Sequence, residues 1–169
     1  QHLQSRHPGS PWLLKSPAHL WHLDALAGEY PDAVIVQTHR DPLKVIASTR
    51  ALATHLRRMA SDQPDLGEVA VQYSDDIFEG LDRGMDARRR KVFPAERIID
   101  VHFSTFIAAP IDTISRIYAA LGRTLEPATE AAMRQFLVDH PGDGGGGGTR
   151  YRFSDTGLDA NELRERAAP

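Results

Sequence analysis

The sequence predicts an α/β domain built on a parallel sheet, and three observations carry that prediction. Short apolar runs alternate with stretches of helical spacing along the chain. One of the runs, Ala33-Val34-Ile35-Val36, is apolar on both faces, as a central parallel strand is. The pair Asp41-Pro42 follows it closely, and Asp at the cap with Pro at the first helical position starts a helix. At 169 residues the chain suits one domain, taken here as residues 1–169.

The elements follow in order. Residues 1–11 are polar, carry two prolines and read as a lead-in. Trp12-Leu13-Leu14 is a short apolar run stopped at Lys15-Ser16-Pro17 and is expected to be a buried strand. Leu20, Leu23, Leu26 and Ala27 then recur at helical spacing up to the break at Tyr30-Pro31-Asp32. After the strand at 33–36, Val45, Leu52, Leu56 and Met59 mark one face of the helix that Asp41 opens. Leu66, Ala70, Tyr73, Ile77 and Leu81 mark the inner face of a second long helix, reaching about Lys91. Arg97 to Phe103 holds a further strand at Ile98-Ile99-Asp100-Val101. A helix through Ile111, Ile114, Ile117, Tyr118 and Leu121 closes at Gly122, and residues 127–138 form another. The glycine-rich segment 141–149 is expected to be a mobile loop or a tight backbone approach. No internal repeat is visible.

Composition excludes several function classes. No apolar run approaches membrane-spanning length, and no charged-then-apolar leader opens the chain, so a cytoplasmic location is expected. The absence of cysteine removes disulfides and thiolate metal sites. The eight histidines are scattered without ligand spacing, and no metal is expected. A net charge of −3 gives no general reason to bind nucleic acid, so a polyanion site would be local.

Open parallel sheets bind ligands at the carboxyl ends of their strands. Three such ends are expected, at Lys15-Ser16, Thr38-His39-Arg40 and His102-Phe103-Ser104. Arg40 leaves a strand beside a capped helix start, and its planar guanidinium fits two phosphate oxygens. Ser48 adds a hydroxyl from that helix. Equally, Arg40 pairs with Asp41 or a surface carboxylate, and Ser48 is merely tolerated in a helix. Lys15 is either a mobile positive charge at a cleft edge or a solvated strand-end lysine. His19 is a base near neutral pH or a packing residue. Arg88-Arg89-Arg90-Lys91 reads first as a solvated helix end, where cations oppose the dipole.

Taken together, Trp12-Leu-Leu-Lys-Ser-Pro-Ala-His19, Tyr30-Pro-Asp-Ala-Val-Ile-Val-Gln-Thr-His-Arg-Asp-Pro42 and Ser48 resemble the PAPS-dependent sulfotransferases. The bacterial branch, related to the tyrosylprotein enzymes, is the most similar. Arg97-Ile-Ile-Asp-Val-His-Phe103, Pro110, Ile117-Tyr-Ala-Ala-Leu-Gly122, Arg150-Tyr151 and Gly157-Leu158-Asp159 follow that family's order. The resemblance implies a P-loop-NTPase-like parallel sheet flanked by helices, here incomplete. It further implies sulfuryl transfer from PAPS to a hydroxyl or amine of a small-molecule, lipid or carbohydrate acceptor.

Carried over by position, Arg40 and Ser48 hold the 3′-phosphate of PAPS, and Lys15 neutralises the departing phosphosulfate oxygen. His19 matches a histidine typical of the bacterial branch and is the base candidate. Phe103 stands where the family has a tyrosine that meets the adenine. The family's basic, glycine-containing loop is here Asp143 followed by five glycines, which leaves its charge to Arg150 or Arg152. No glycine-rich segment joins a strand to a helix as the family's 5′-phosphosulfate loop does. The chain is therefore expected to be the C-terminal part of a longer protein and inactive by itself. The alternatives are a non-catalytic domain that binds adenosine 3′,5′-bisphosphate and an α/β interaction domain without a ligand. A homo-oligomer is left open.

Overall fold

The computed structural model describes residues 11–63, 65–141 and 151–168. The glycine run 144–148 and Arg150 lie outside them.

Ser16 caps a 3-10 turn over Pro17–His22, accepting from the Ala18 amide, and the turn runs into α1, Leu23–Glu29. Strand β1, Ile35–His39, follows, then α2, Pro42–Ala60, and α3, Leu66–Arg89. Strand β2 is Ile98–His102, and α4 (Phe103–Ala108), α5 (Pro110–Ala120) and α6 (Pro127–Asp139) come after it. A second 3-10 turn, Phe153–Thr156, leads to α7, Ala160–Arg166. No helix among the described residues is long and apolar enough to cross a membrane.

The helix boundaries are set by local chemistry. Asp41 accepts from the Leu43 amide at 3.0 Å with Pro42 in the first turn, as expected. Asp65 accepts from the amides of Gly67 and Glu68, both at 2.9 Å. Gly122, at φ +65°, ends α5 in the left-handed conformation that costs glycine least.

β1 and β2 pair in parallel, with Ile35 opposite Ile98 and His39 opposite His102. Two expectations fail at this sheet. Trp12–Leu14 is not a strand, and Leu13 is 94% exposed. A strand needs a neighbour for its amides and carbonyls, and β1 and β2 pair only with each other among the described residues. β1 is also not buried on both faces: Ile35 packs against the cluster of Leu23, Ala87 and Phe93, whereas Val36 is 40% exposed.

The inner face of α2 is also rotated from the one expected, whereas that of α3 lies close to it. Leu52, Leu56 and Met59 are exposed, and α2 buries Leu43, Ile46, Ala47, Ala53 and Thr54 instead. On α3 the expected Ala70 is buried and the expected Ile77 and Leu81 pack against the core, beside Val69, Ser74, Phe78, Gly80, Gly84 and Ala87. The contact stripes combine these small residues with Leu43, Ile46, Val69 and Phe78. The core joins Leu43 and Ile46 of α2, Phe78 of α3 and Leu163 of α7, with Phe153 and Leu158 packed against it. The C-terminal segment is thereby docked on both long helices.

Candidate functional site

Parallel pairing decides what stands at the carboxyl edge of the sheet. Because His39 and His102 are in register, the residues that follow them, Arg40 and Phe103, emerge side by side. The Arg40 guanidinium carbon lies 4.6 Å from the centroid of the Phe103 ring, a cation–π contact. Its Nη2 donates to the Tyr151 hydroxyl at 3.1 Å. Its Nε is buried and meets no acceptor among the described residues.

The ion-pair alternative for Arg40 is not what the chain adopts. Asp41 spends one carboxylate oxygen on the α2 cap, and its other lies 3.9 Å from Arg164. Arg40 is therefore a half-buried cation facing a hydroxyl and a ring, with no carboxylate among the described residues bonded to it. Since the Asp41 carboxylate also occupies the helix start, an anion here must be held chiefly by side chains.

Ser48 joins the group through Tyr151. Ser48 and Arg40, with Lys44 farther off, hold the Tyr151 phenol below the usual tyrosine range, against the opposing effect of burial. Arg40, Ser48, Phe103 and Tyr151 thus assemble from β1, α2, α4 and the C-terminal segment. A cation with hydroxyl donors and an aromatic wall can hold a phosphate-type oxyanion attached to a flat base.

Lys15 and His19 are placed differently. Lys15 is exposed on the irregular lead-in, and His19 sits in the 3-10 turn, half-buried. Neither makes a side-chain hydrogen bond or ion pair with the Arg40 group. Their place is set by the next two residues: Leu20 and Trp21 fit against Gly84 and Gly80 on α3. Arg150 is outside the described residues, and the residue after it, Tyr151, is the one that reaches Arg40. Its only signal in the sequence is its position just ahead of the Gly157-Leu158-Asp159 closing segment.

The basic run ending α3 is an ion-pair junction. Arg88 grips Asp100 of β2 with two hydrogen bonds of 2.7 Å and also donates to Gln37 of β1 at 2.7 Å. Arg90 pairs with Asp24 and Asp86, both at 2.7 Å. His39 Nε2 meets Asp100 Oδ1 at 2.6 Å. Arg88 foremost, then His39, hold the Asp100 carboxyl far below the usual carboxylate range. A carboxylate with a depressed folded-state pKa stabilises the fold above its unfolded value, near 3.8, and loses that effect as pH falls below it. Asp100→Asn is accordingly expected to lower the melting temperature at neutral pH. The gap to the parent should close only in acid below about pH 4, which melting curves across that range would show. A gap that vanished near neutrality would contradict the assignment.

The fold and this edge define a class: parallel α/β domains with a basic residue at the carboxyl end of a strand. Within that class the Sulfotransferase family is matched over residues 1–127, and the chain belongs to that family. The omega-hydroxy-beta-dihydromenaquinone-9 sulfotransferases Stf3 of Mycobacterium tuberculosis and Mycobacterium bovis are each 28% identical over 132 residues. That match covers 76% of this chain and 33% of each relative, so the chain spans about a third of their length. The crystal structure of sulfotransferase STF9 from Mycobacterium avium superposes with a TM-score of 0.81 at 31% identity, over 97% of this chain and 41% of STF9. Sulfotransferase STF1 from Mycobacterium tuberculosis H37Rv gives 0.69 at 32% identity, over 94% of this chain and 40% of STF1. The fold expected from the sequence is the one these structures share.

Proposed function

We propose that this chain is the nucleotide-anchoring part of an enzyme that transfers a sulfuryl group from PAPS to an acceptor hydroxyl or amine. The observation that carries the reading is Arg40, a strand-exit guanidinium that, among the described residues, is bonded to no carboxylate and has a buried Nε without a partner. Arg40 and Ser48 hold the 3′-phosphate, and Phe103 offers a ring beside the adenine. In the reaction the bond from sulfur to the 5′-phosphate oxygen breaks as a bond to the acceptor oxygen or nitrogen forms. The acceptor's proton passes to a base, for which His19 is the candidate in this chain. Lys15 compensates the charge that grows on the departing phosphate. Adenosine 3′,5′-bisphosphate and the sulfated acceptor leave. The Stf3 relatives are named for an omega-hydroxy menaquinone derivative, which supports a hydroxyl on a lipid-like molecule as the first acceptor to try.

The test is turnover of radiolabelled PAPS by the protein carrying its upstream sequence, with long-chain alcohols and amines as acceptors. Lys15→Ala is expected to lower turnover about 10²- to 10³-fold, the range seen when one charge-stabilising donor is removed. Its affinity for the bisphosphate should stay close to the parent's. Failure of every hydroxyl and amine to accept, or full activity in Lys15→Ala, would overturn this reading.

A further inference from the structure

We infer that Tyr151 is a third ligand of the bound phosphate, delivered by the C-terminal segment to the site that Arg40 and Ser48 form. The inference rests on the phosphate reading of Arg40 and adds a residue to it. A phenol oxygen can accept two hydrogen bonds and donate one. Tyr151 accepts from Arg40 Nη2 at 3.1 Å, and the Ser48 hydroxyl interacts with the same phenol. Arg40 can only donate, so the phenolic proton is not spent on it and is free to turn from the Ser48 oxygen toward an anion. It sits beside the two groups proposed to face the phosphate, and an oxyanion next to them would take it.

The position is built rather than incidental. Thr156 donates to the Phe153 carbonyl at 2.7 Å and accepts from the Leu158 amide at 3.2 Å. Asp155 accepts from the Arg152 amide at 3.2 Å, which fixes the turn immediately after Tyr151. Phe153 and Leu158 pack on Leu43, Ile46 and Phe78, and Arg166 stacks over Phe78 while pairing with Asp75 at 2.7 Å. Tyr151 therefore meets Arg40 from a segment anchored on α2 and α3. It does not occupy the Arg40 donors as a stopper, because its own proton can join theirs on one oxyanion.

The experiment compares adenosine 3′,5′-bisphosphate with adenosine 5′-monophosphate by calorimetry, in the parent, Tyr151→Phe and Arg40→Ala. Tyr151→Phe keeps the ring and removes only the hydroxyl. It is expected to weaken the bisphosphate about tenfold, as for loss of one hydrogen bond to a charged group, and to leave the monophosphate unchanged. Tyrosine ionisation, followed by ultraviolet absorbance against Tyr151→Phe, should move to higher pH when the bisphosphate is added. Tighter bisphosphate binding by Tyr151→Phe would show that the hydroxyl competes with the anion, and would overturn the inference. So would an unchanged preference for the bisphosphate in Tyr151→Phe while Arg40→Ala loses it, with the phosphate site left standing. If the parent shows no such preference, the phosphate reading fails, and the role of Tyr151 fails with it.

Discussion

Arg40→Ala is expected to cost the protein about 1.5–3 kcal/mol of adenosine bisphosphate affinity, roughly a 10- to 150-fold rise in Kd, with almost no loss of melting temperature. Affinity falls because a charge-assisted contact to phosphate disappears. Stability holds because Arg40 is poorly compensated in the free protein. Its Nε is buried without a partner among the described residues, which costs free energy, while the Phe103 ring and the Tyr151 hydroxyl return only part. Most structural arginines behave the other way, since removing one strands a buried carboxylate. Arg40→Lys should recover part of the affinity only, because an ammonium cannot make the two-pronged contact or lie flat on Phe103. Calorimetry and melting curves on the same samples decide it. Parent-like binding by both variants, or a melting loss as large as the affinity loss, would refute the assignment.

Gly80→Ala is the second large effect, and it acts through packing. A Cβ on Gly80 would lie 2.6, 2.7 and 2.8 Å from Cζ2, Cε2 and Cη2 of Trp21. These are rigid ring atoms, so relief requires moving the whole 3-10 turn. Alanine gains about 1 kcal/mol over glycine in a helix interior, and overpacking a close contact costs about 1–3 kcal/mol. The clash covers three ring atoms, so the upper part of that range applies and the net effect is destabilising. A fall of roughly 3–6 °C in melting temperature is expected. Gly84→Ala is the internal control. Its Cβ would approach Leu20 Cδ1 at 2.4 Å, but that atom ends a flexible side chain that can rotate away. It should remain within about 2 °C of the parent. Because the turn carries His19 and follows Lys15, Gly80→Ala should also lower turnover more than it weakens bisphosphate binding. Equal melting temperatures for the two variants would show that Trp21 yields as easily as Leu20.

Much of this was legible in the residues. The starts of α2 and α3 and the end of α5 rest on Asp41, Asp65 and Gly122, whose effect reaches only a few residues along the chain. A capping residue acts on amides adjacent to it, so its message survives without knowledge of the fold. Arg40 and Ser48 stood out together only through the family resemblance, because their spacing along one strand exit and one helix left an ion pair and a tolerated serine equally open.

Other features required the folded chain. Trp12–Leu14 has a strand's composition, but a strand exists only when another backbone completes its hydrogen bonds. The buried face of α2 was misplaced because Leu52, Leu56 and Met59 dominate its periodicity, whereas the fold buries Leu43, Ile46, Ala47, Ala53 and Thr54. Tyr151 reaches Arg40 from 111 residues away, and no local pattern encodes that meeting. The sequence by itself determined the α/β class, the helix ends and the cation at the strand exit, because each depends on neighbours in the chain. The tertiary structure alone decided that Arg40 meets no carboxylate among the described residues and that the Tyr151 hydroxyl reaches it instead. Those outcomes depend on which segments compete for the same donors in space.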